Sequence, residues 1–231
     1  MTSQTQNGLI TGIFKTELKN RFLCTVCVDG TDVTCYIPSS CRLSNFVDLS
    51  GKTVLLKPNQ STTGRTAYAV YALKHGRQWI LLNLAQANRI IEAQLPRRYF
   101  SFLGKRKNVA HEICVESYKT DLFIHDTNTV VEIKSILSFD SNAAFPTVYS
   151  ERAVEQLKKL SHLLDAGYNV CYLFVSLNPR VKSLSLNKCV PDYYSIFCEC
   201  IDKGMIVRAF SIRMEDHGPQ IYKKVDLSLE K

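Results

Sequence analysis

The feature that most constrains the fold is a series of short β-strand segments in the first third of the chain. Turn residues such as Asp29-Gly30, Ser50-Gly51 and His75-Gly76 separate segments with alternating or β-branched and aromatic residues. Five such segments occur: GLITGIFKTEL, RFLCTVCVDG, TDVTCYIP, KTVLLKPN and TAYAVYALKHG. Their spacing is typical of a small closed or nearly closed barrel. We predict an OB-like barrel over residues 1–76, with an SH3-like barrel as the alternative.

From residue 77 the pattern changes to mixed strands and helices. QWILLN predicts a strand and LAQANRIIEAQL a helix, which Pro96 ends. The following segments predict strands at HEICVES, TDLFIHD, TVVEIKSIL and NVCYLFVSL, and a last strand at MIVRAFSIR. Helices are predicted at PDYYSIFCECIDKG and at SERAVEQLKKLSHLLDAG, whose apolar stripe is Ala153, Leu157, Leu160 and Leu164. Residues 77–231 therefore predict a mixed sheet flanked by helices, and the fold class is α+β with two domains.

The charge balance favours a polyanionic partner. The chain has 29 Lys and Arg against 21 Asp and Glu, which gives a net charge of +8. Neutralisation of phosphates by basic side chains drives binding to nucleic acids without regard to sequence. A merely basic surface is the alternative that charge alone leaves open.

The compartment is predicted from what the chain lacks. No apolar run is long enough to span a membrane, and the N-terminus has no basic head followed by an apolar stretch. We expect a cytoplasmic protein without a membrane partner, in which the nine cysteines stay reduced. Cys24 and Cys27 form a CxxC within a predicted strand, where a spacing of three puts them on opposite faces. Buried thiols are therefore favoured over a zinc site.

The segment YKTDLFIHDTNTVVEIKSI carries the candidate chemistry. Two predicted strands flank the polar turn at residues 125–128, so they should form a hairpin. If the turn is centred between residues 126 and 127, Asp121 lies directly opposite Glu132, with Cβ atoms roughly 5 Å apart. The period of two along a strand puts Lys134 on the same face as Glu132. The hairpin would thus aim two carboxylates and an ammonium at one point.

These residue types suit metal-dependent phosphodiester hydrolysis. Two close carboxylates repel each other unless a cation lies between them, and oxygen ligands suit Mg²⁺ or Mn²⁺. A bound metal polarises the phosphate and lowers the pKa of water, while a lysine stabilises the developing charge. A surface hairpin with solvated charges is the alternative. However, Glu132 and Lys134 lie in the otherwise apolar VVEIKSI, where charges are costly. The helix before the hairpin adds Glu92 as a candidate further acid.

The order and spacing of several segments resemble the sugar fermentation stimulation protein A (SfsA) family. The resemblance runs from about Gly12 to Phe210. It rests on NRFLCTVCVDG, the IP of TCYIPSS, ILLNLAQANRIIEAQL, the pair TDLFI and VVEIKS, FPTVYSERAVEQL, AGYNVCYLFVSLN and PDYYSIF. It implies an OB-like barrel followed by a PD-(D/E)XK nuclease domain that acts on DNA or RNA. The catalytic residues that it implies are Asp121, Glu132 and Lys134, with Glu92 as the supporting acid.

Two segments depart from the family pattern. Where the family has Pro-Asn-Thr-Gly, this chain has Pro38-Ser39-Ser40-Cys41. The helical pattern Thr-x-Arg-Gly-x-Lys-His-Leu becomes SERAVEQL over residues 150–157, which retains Arg152 but has Glu155 and Gln156 in place of Lys-His. Arg152, Gln156 and Lys159 share one helical face. The resemblance implies that this face borders the catalytic pocket, so we expect Arg152 to bind the substrate phosphate and Gln156 to supply a neutral hydrogen bond there.

The chain is therefore predicted to be a nuclease that requires Mg²⁺ or Mn²⁺ and binds DNA, RNA or both. The predicted metal ligands are Asp121, Glu132 and Ile133. Predicted nucleic-acid contacts on other segments are Arg21 on the barrel, beside Phe22 and Tyr36, and Arg97, Arg98, Arg106 and Lys107 in the run PRRYFSFLGKRKN. The alternatives are a non-catalytic DNA-binding regulatory protein of sugar metabolism and a structural or protein-interaction role.

Overall fold

The N-terminal part of the chain forms a closed β-barrel. The structure, a computed structural model, describes residues 8–38, 43–45, 48–59, 66–83 and 86–228. The first six strands run in the order β3-β2-β1-β4-β5-β6, and β3 also pairs with β5, which closes the first five into a barrel. They are β1 (Ile10–Glu17), β2 (Leu23–Val28), β3 (Thr31–Tyr36), β4 (Thr53–Pro58), β5 (Tyr68–His75) and β6 (Gln78–Leu81). The five predicted strands and the OB-like barrel are confirmed.

Alternation along the strands builds the barrel core. In β2, Cys24, Val26 and Val28 are buried, whereas Cys27 on the other face is half-buried. Gly12 in β1 faces β2 so closely that a Cβ atom there would lie 2.5 Å from Cγ1 of Val26. The two strands can therefore pack at this distance because residue 12 has no side chain.

The C-terminal part is built on a six-stranded mixed sheet in the order β16-β15-β13-β11-β10-β7. Strands β11, β13 and β15 are parallel, and the outer strands pair antiparallel. The sheet strands are β7 (Val109–His111), β10 (Leu122–Ile124), β11 (Thr129–Ile136), β13 (Asn169–Ser176), β15 (Ile206–Glu215) and β16 (Gly218–Lys224). Smaller sheets contain β8 (Cys114–Val115) with β9 (Tyr118–Lys119), and β12 (Asn142–Phe145) with β14 (Ser183–Leu186) and β17 (Asp226–Ser228).

Helices cover both faces of the six-stranded sheet. Apolar residues of α2 (Glu151–Asp165) and α3 (Pro191–Asp202) pack on one face. On the other face lie α1 (Gln86–Gln94), a 3-10 segment (Arg98–Leu103) and barrel residues that share their apolar cluster. The predicted mixed sheet with flanking helices is thus confirmed. No helix within the described ranges combines the length and apolarity needed to cross a membrane.

Several local predictions need correction. The strand QWILLN pairs as β6 with β5 in the barrel sheet, although the sequence pattern groups it with the second domain. The single strand predicted at HEICVES is divided, because β8 leaves the sheet and pairs with β9. MIVRAFSIR is not the last strand, since β16 and β17 follow it. Strands β6, β8 and β16 pair with their sequence neighbours β5, β9 and β15, whereas β17 pairs with the distant β14. Local patterns therefore did not show which sheet each short strand joins.

Helix α2 also differs in the residues that it buries. Val154 and Leu163 are buried together with Leu157 and Leu160, whereas Ala153 and Leu164 are only partly buried. The helix packs against both the sheet and α3, so its buried face is rotated from the predicted stripe. Residues 39–41, at the first departure from the family pattern, and residues 84 and 85 of the first predicted helix lie outside the described residues.

Candidate active site

The candidate site is built on the predicted hairpin. Strands β10 and β11 pair antiparallel with Leu122 opposite Val131 and Ile124 opposite Thr129. This register, continued by one residue, places Asp121 opposite Glu132, as predicted. The turn at residues 125–128 closes through Asn128, whose φ of 50° lies in the left-handed region that Asn tolerates.

Glu132 is buried and held from two sides. Only 4% of the residue is exposed. The hydroxyl of Tyr118 donates a hydrogen bond to its Oε2, and Nζ of Lys134 lies 2.8 Å from its Oε1. Burial, followed by the negative charge of Glu132 and the hydrogen bond to it, raises the pKa of Tyr118, so Tyr118 stays a protonated donor. A buried carboxylate is thereby given the partners that it needs.

Lys134 connects the hairpin to α2. Its Nζ lies 2.8 Å from Oε1 of Gln156 as well as 2.8 Å from Oε1 of Glu132. The shared face of Glu132 and Lys134 is thus confirmed. An ammonium has three donors, so two of them are engaged and one remains for a ligand.

Asp121 accepts hydrogen bonds on both carboxylate oxygens. Nδ2 of Asn88 in α1 lies 2.8 Å from Oδ1, and the backbone N–H of Ile133 donates to Oδ2 at 2.7 Å. Burial and then the negative charge of Glu132 raise the pKa of Asp121 to about 6, although the Ile133 hydrogen bond acts in the opposite direction. The two carboxylates therefore destabilise each other's charge, which a cation between them would relieve.

These carboxylates line an open pocket of about 380 Å³. Helix α2 begins beside it, where the Ser150 side chain caps the helix by accepting from the N–H of Ala153 at 3.3 Å. Arg152, Gln156 and Lys159 of α2 all line the pocket, so their predicted common face is confirmed. The pocket thus combines the two central carboxylates with nearby cations, and Glu112 and Glu155 also line it.

A second pocket of about 290 Å³ adjoins the first. Lys134, Arg152 and Gln156 line it, and the first pocket shares the latter two. Its other walls are largely apolar and include Pro146 and Val148. Val148 is 70% exposed. Arg152 and Gln156 therefore lie between the pocket with the carboxylates and the largely apolar one.

The donor set fits a hard divalent cation. Asp121 and Glu132 offer carboxylate oxygens, and Ile133, the third predicted ligand, can offer only its backbone carbonyl. Within the described residues, no three His, Cys, Asp or Glu side chains come close enough to form a metal cluster. Magnesium commonly binds through one or two carboxylates and fills its remaining positions with water and phosphate oxygens. Two carboxylates and a carbonyl therefore suffice for Mg²⁺ or Mn²⁺.

The structure puts Asn88, rather than Glu92, in contact with Asp121. Oε2 of Glu92 lies 3.5 Å from Nδ1 of His111, and the Glu92 side chain is 48% exposed. Glu92 does not line the pocket that holds the two carboxylates. Asn88 precedes Glu92 by one helical turn, so the spacing of four residues could have identified it. Tyr118 had no comparable signal, because the chain bends between β9 and β10.

The basic run at residues 97–107 divides into different roles. The guanidinium of Arg106 donates to the carbonyl of Leu95 at 2.6 Å, of Gly104 at 2.6 Å, of Arg97 at 3.0 Å and of Pro96 at 3.3 Å. This structural role argues against the predicted nucleic-acid contact of Arg106.

The other basic residues of this run keep exposed side chains. Lys107 is exposed, and its backbone N–H donates to Asp126 at 2.6 Å. Arg97 and Arg98 are exposed too, but they line a pocket other than the one with the carboxylates. The run therefore does not form one continuous phosphate track at the hairpin.

The barrel patch places its aromatic residues on the surface. Phe22 is 36% exposed and Tyr36 is 40% exposed. Their rings stack with centroids 6.3 Å apart, and Cζ of Arg21 lies 4.7 Å from the Phe22 centroid. The alternative that these aromatics belong to the barrel core is thus wrong. Their contact with nucleic acid stays a prediction.

Comparison with known protein families covers most of the chain. The model described as the SfsA N-terminal OB domain matches residues 18–82. The model described as the sugar fermentation stimulation protein RE domain matches residues 85–218, more than half of the chain. The predicted boundary between residues 76 and 77 stays a prediction.

Individual relatives match over nearly the full length. A sugar fermentation stimulation protein homolog from Pseudoalteromonas atlantica is 24% identical over 233 residues, which cover 97% of this chain and 99% of the homolog. A homolog from Saccharolobus solfataricus is 25% identical over 200 residues, with coverages of 85% and 77%. The solved structure of Pyrococcus furiosus SfsA in complex with Ca²⁺ has a TM-score of 0.82, 19% identity and 99% coverage of both chains. The structural similarity supports the same two-part fold.

Proposed function

The chain belongs to the sugar fermentation stimulation protein family, and on this premise we propose that it is a divalent-metal-dependent nuclease acting on DNA, RNA or both. The observation that carries the proposal is that Asp121 and Glu132 line one pocket, with Lys134 bound to Glu132. The Pyrococcus furiosus relative was solved in complex with Ca²⁺, a cation that binds oxygen ligands as Mg²⁺ does.

The residues of the pocket would divide the reaction among them. Asp121, Glu132 and the carbonyl of Ile133 would hold Mg²⁺ or Mn²⁺. When bound, such a cation polarises the phosphate and lowers the pKa of a coordinated water. Lys134 would donate its remaining N–H to the attacking water or to a phosphate oxygen, where negative charge develops. Since Glu132 and Gln156 already hold Nζ, this ammonium is oriented before substrate binds.

Substrate binding would use the cationic side chains of α2. Arg152 and Lys159 line the pocket beside the carboxylates, and Arg152 also borders the apolar pocket. A phosphate bound at Arg152 would place the neighbouring nucleoside against the apolar wall with Val148. Charge-assisted hydrogen bonds from a guanidinium are about twice as strong as neutral ones, so Arg152 is the main candidate for the phosphate contact.

The decisive experiment is cleavage of labelled single- and double-stranded DNA and RNA by the purified protein with Mg²⁺, Mn²⁺ or EDTA. We expect cleavage with either metal and none with EDTA. Asp121→Asn and Glu132→Gln should each abolish cleavage while the fold is retained. Glu112→Gln is the matched control, because Glu112 lines the same pocket but pairs with Lys119 at 2.6 Å. Full activity in either of the first two variants would refute the proposal.

A non-catalytic DNA-binding regulator is the second candidate. The stack of Arg21, Phe22 and Tyr36 on the barrel favours it, since base stacking on exposed aromatics needs no catalytic centre. Tight binding without cleavage under every metal condition would support this candidate instead. Loss of that binding in Phe22→Ala would then identify the barrel as the binding surface.

A further inference from the structure

A basic pocket lies on the face of the six-stranded sheet opposite to the candidate active site. Glu132 alternates with Val131 along β11, and Val131 belongs to the apolar cluster on the α1 side. Arg208 shares the α1 face with Phe210, a member of that same cluster. The basic pocket, defined by Arg97, Arg98, Arg208 and Lys224, is therefore separated from Glu132 by the sheet.

Two structural elements bring these four cations together. In the 3-10 segment Arg98–Leu103, Phe100 and Leu103 are buried, and Phe100 packs on Phe210 with ring centroids 5.4 Å apart. This anchoring leaves Arg98 at the surface, beside Arg97. Lys224 of β16 pairs with Phe210 of β15, so it lies on the same face as Arg208. The pocket is thus built on a sheet face and an anchored turn.

The charges of this pocket are not compensated within the described part of the chain. No acidic residue of that part lines the pocket. None of the four cations forms an ion pair with a described residue, although other lysines and arginines do. Four cations around one concave surface repel each other, and a bound polyanion would remove that repulsion.

Contacts within the protein fix the side chain of Arg208 and the backbone of Arg97. Cζ of Arg208 lies 5.1 Å from the centroid of the Phe102 ring, and its Nη1 donates to the carbonyl of Val207 at 2.8 Å. A guanidinium has five N–H donors, so most remain for a ligand. The carbonyl of Arg97 accepts from Arg106 at 3.0 Å, which fixes the backbone at the pocket edge. Arg106 is therefore a positioning residue for this pocket.

The size and aromatic content of the pocket suit a nucleotide. Its volume of about 640 Å³ exceeds that of the pocket with the carboxylates and lies within the range of small-molecule sites. Tyr99 lines it, packs edge-on against Phe210 at 6.5 Å and is 44% exposed. An exposed aromatic ring beside several cations can stack on a base while the cations bind its phosphates.

We propose that this basic pocket binds a phosphorylated nucleotide, with phosphates at Arg98, Arg208 and Lys224 and the base against Tyr99. The nucleotide is either free or one unit of a nucleic-acid strand, since both have the same phosphate and base chemistry. The proposal goes beyond the nuclease function and does not depend on it. Binding at this face requires neither the carboxylates nor a divalent cation.

The test uses the full-length protein in EDTA, so that the metal centre does not contribute. ATP and single-stranded oligothymidylate are titrated separately by calorimetry, and polyglutamate is titrated as an anion without base or phosphate. Arg98→Gln/Arg208→Gln and Tyr99→Leu test the phosphate and base contacts, and thermal unfolding confirms that each variant folds. Lys224→Gln is compared with Lys188→Gln, since both lysines are exposed but Lys188 lies outside the pocket.

We expect the double variant to weaken ATP binding, strand binding or both by about tenfold or more. Tyr99→Leu should weaken the same ligand, and Lys224→Gln should do so more than Lys188→Gln. Loss for ATP indicates a free nucleotide as ligand, whereas loss for the strand alone indicates a nucleotide unit of nucleic acid. The proposal is overturned if neither affinity changes, if polyglutamate binds as tightly, or if Lys188→Gln has the same effect as Lys224→Gln.

Discussion

Glu132 is buried and Asp121 is half-buried, in positions where an ionised carboxylate is costly. Burial disfavours a carboxylate, and a second carboxylate nearby disfavours it further. The structure answers with hydrogen bonds to Asp121 from Asn88 and Ile133, and to Glu132 from Tyr118 and Lys134. These contacts orient the acids but do not remove their mutual repulsion. A cation between the two carboxylates would relieve this repulsion.

The raised pKa of Asp121 predicts how stability depends on pH. The pKa of Asp121 is about 6 in the folded protein and 3.8 without the perturbing environment. Because the folded protein binds this proton more tightly than the unfolded chain, protonation of Asp121 stabilises the fold, and this stabilisation is fully present below pH 3.8. It is lost as the pH rises through about 6. We expect Asp121→Asn to raise the Tm of the metal-free protein at about pH 7.5, and to raise it much less at about pH 4.5. Thermal unfolding in EDTA measures this.

The same protonation should compete with the metal. Because a cation binds the ionised carboxylate, affinity for Mn²⁺ should fall as pH decreases below about 6. Calorimetric titration of the wild type at several pH values checks this, with Glu112→Gln as the control that preserves the dependence. For the stability prediction, an equal change in Tm by Asp121→Asn at about pH 7.5 and at about pH 4.5 would contradict the raised pKa of Asp121.

At the scale of elements, Arg152 and Gln156 lie one turn apart on helix α2 and have different contacts. Gln156 accepts from Lys134, which differs from its predicted contact with substrate. Arg152 keeps its place beside both pockets. We expect Arg152→Ala to weaken nucleic-acid binding by about tenfold, or about 1.4 kcal/mol, with a smaller change in kcat. Gln156→Leu should lower kcat more than it lowers the affinity for nucleic acid, because the Lys134 ammonium loses one of the two hydrogen-bond acceptors that orient it. Single-turnover kinetics separates the two effects.

Lys158→Ala serves as the control for this helix. Lys158 is exposed, pairs with Glu155 at 2.7 Å and does not line the carboxylate pocket. The Lys158→Ala substitution should leave both nucleic-acid binding and kcat unchanged. If Arg152→Ala behaves like Lys158→Ala, this face of α2 has no part in substrate binding.

The loop after α1 depends on Arg106. Its guanidinium satisfies four backbone carbonyls near the C-terminal end of the helix and the 3-10 segment. We expect Arg106→Ala to lower the free energy of unfolding by about 2 kcal/mol, whereas Lys107→Ala should change it by less than about 0.5 kcal/mol. Urea unfolding measures both. Equal effects of the two substitutions would mean that these hydrogen bonds add no net stability.

At the scale of the whole molecule, the net charge of +8 would favour encounter with a nucleic acid, the partner that we propose. The basic residues lie in separate places: beside the carboxylates, on the opposite face of the sheet and on the barrel. We expect duplex affinity to fall steeply with salt, and the slope of log K against log salt concentration to flatten by about one for each phosphate contact removed by Arg98→Glu or Lys107→Glu. Fluorescence anisotropy over a salt series provides the slopes. Lys188→Glu is the control, and binding that ignores salt would contradict the electrostatic account.

The order of strands and helices follows mostly from local patterns. The five barrel strands and the hairpin β10–β11 have alternating or apolar residues bounded by turns, which a short window of sequence reveals. The sequence patterns did not predict strands β12, β14 and β17. They form one small parallel sheet from segments that lie far apart in the sequence, since Asn142 pairs with Ser183 and Ser183 pairs with Asp226. Short segments of this kind are stabilised as strands by distant partners, so their own residues carry a weak signal.

Local sequence was sufficient to predict the hairpin register that brings Asp121 and Glu132 into one pocket, and the position of Lys134 beside Glu132. One short turn connects the two strands, so the turn length sets the register and the strand period sets the face. Packing of the whole chain, in contrast, brings Asn88, Tyr118 and Gln156 to the site, directs Arg106 to carbonyls and joins Arg98 to Arg208. These contacts connect elements whose relative placement depends on packing against both faces of the sheet. Local dihedral preferences and turn geometry act within a hairpin, whereas burial of apolar surface by the whole chain selects which side chains meet.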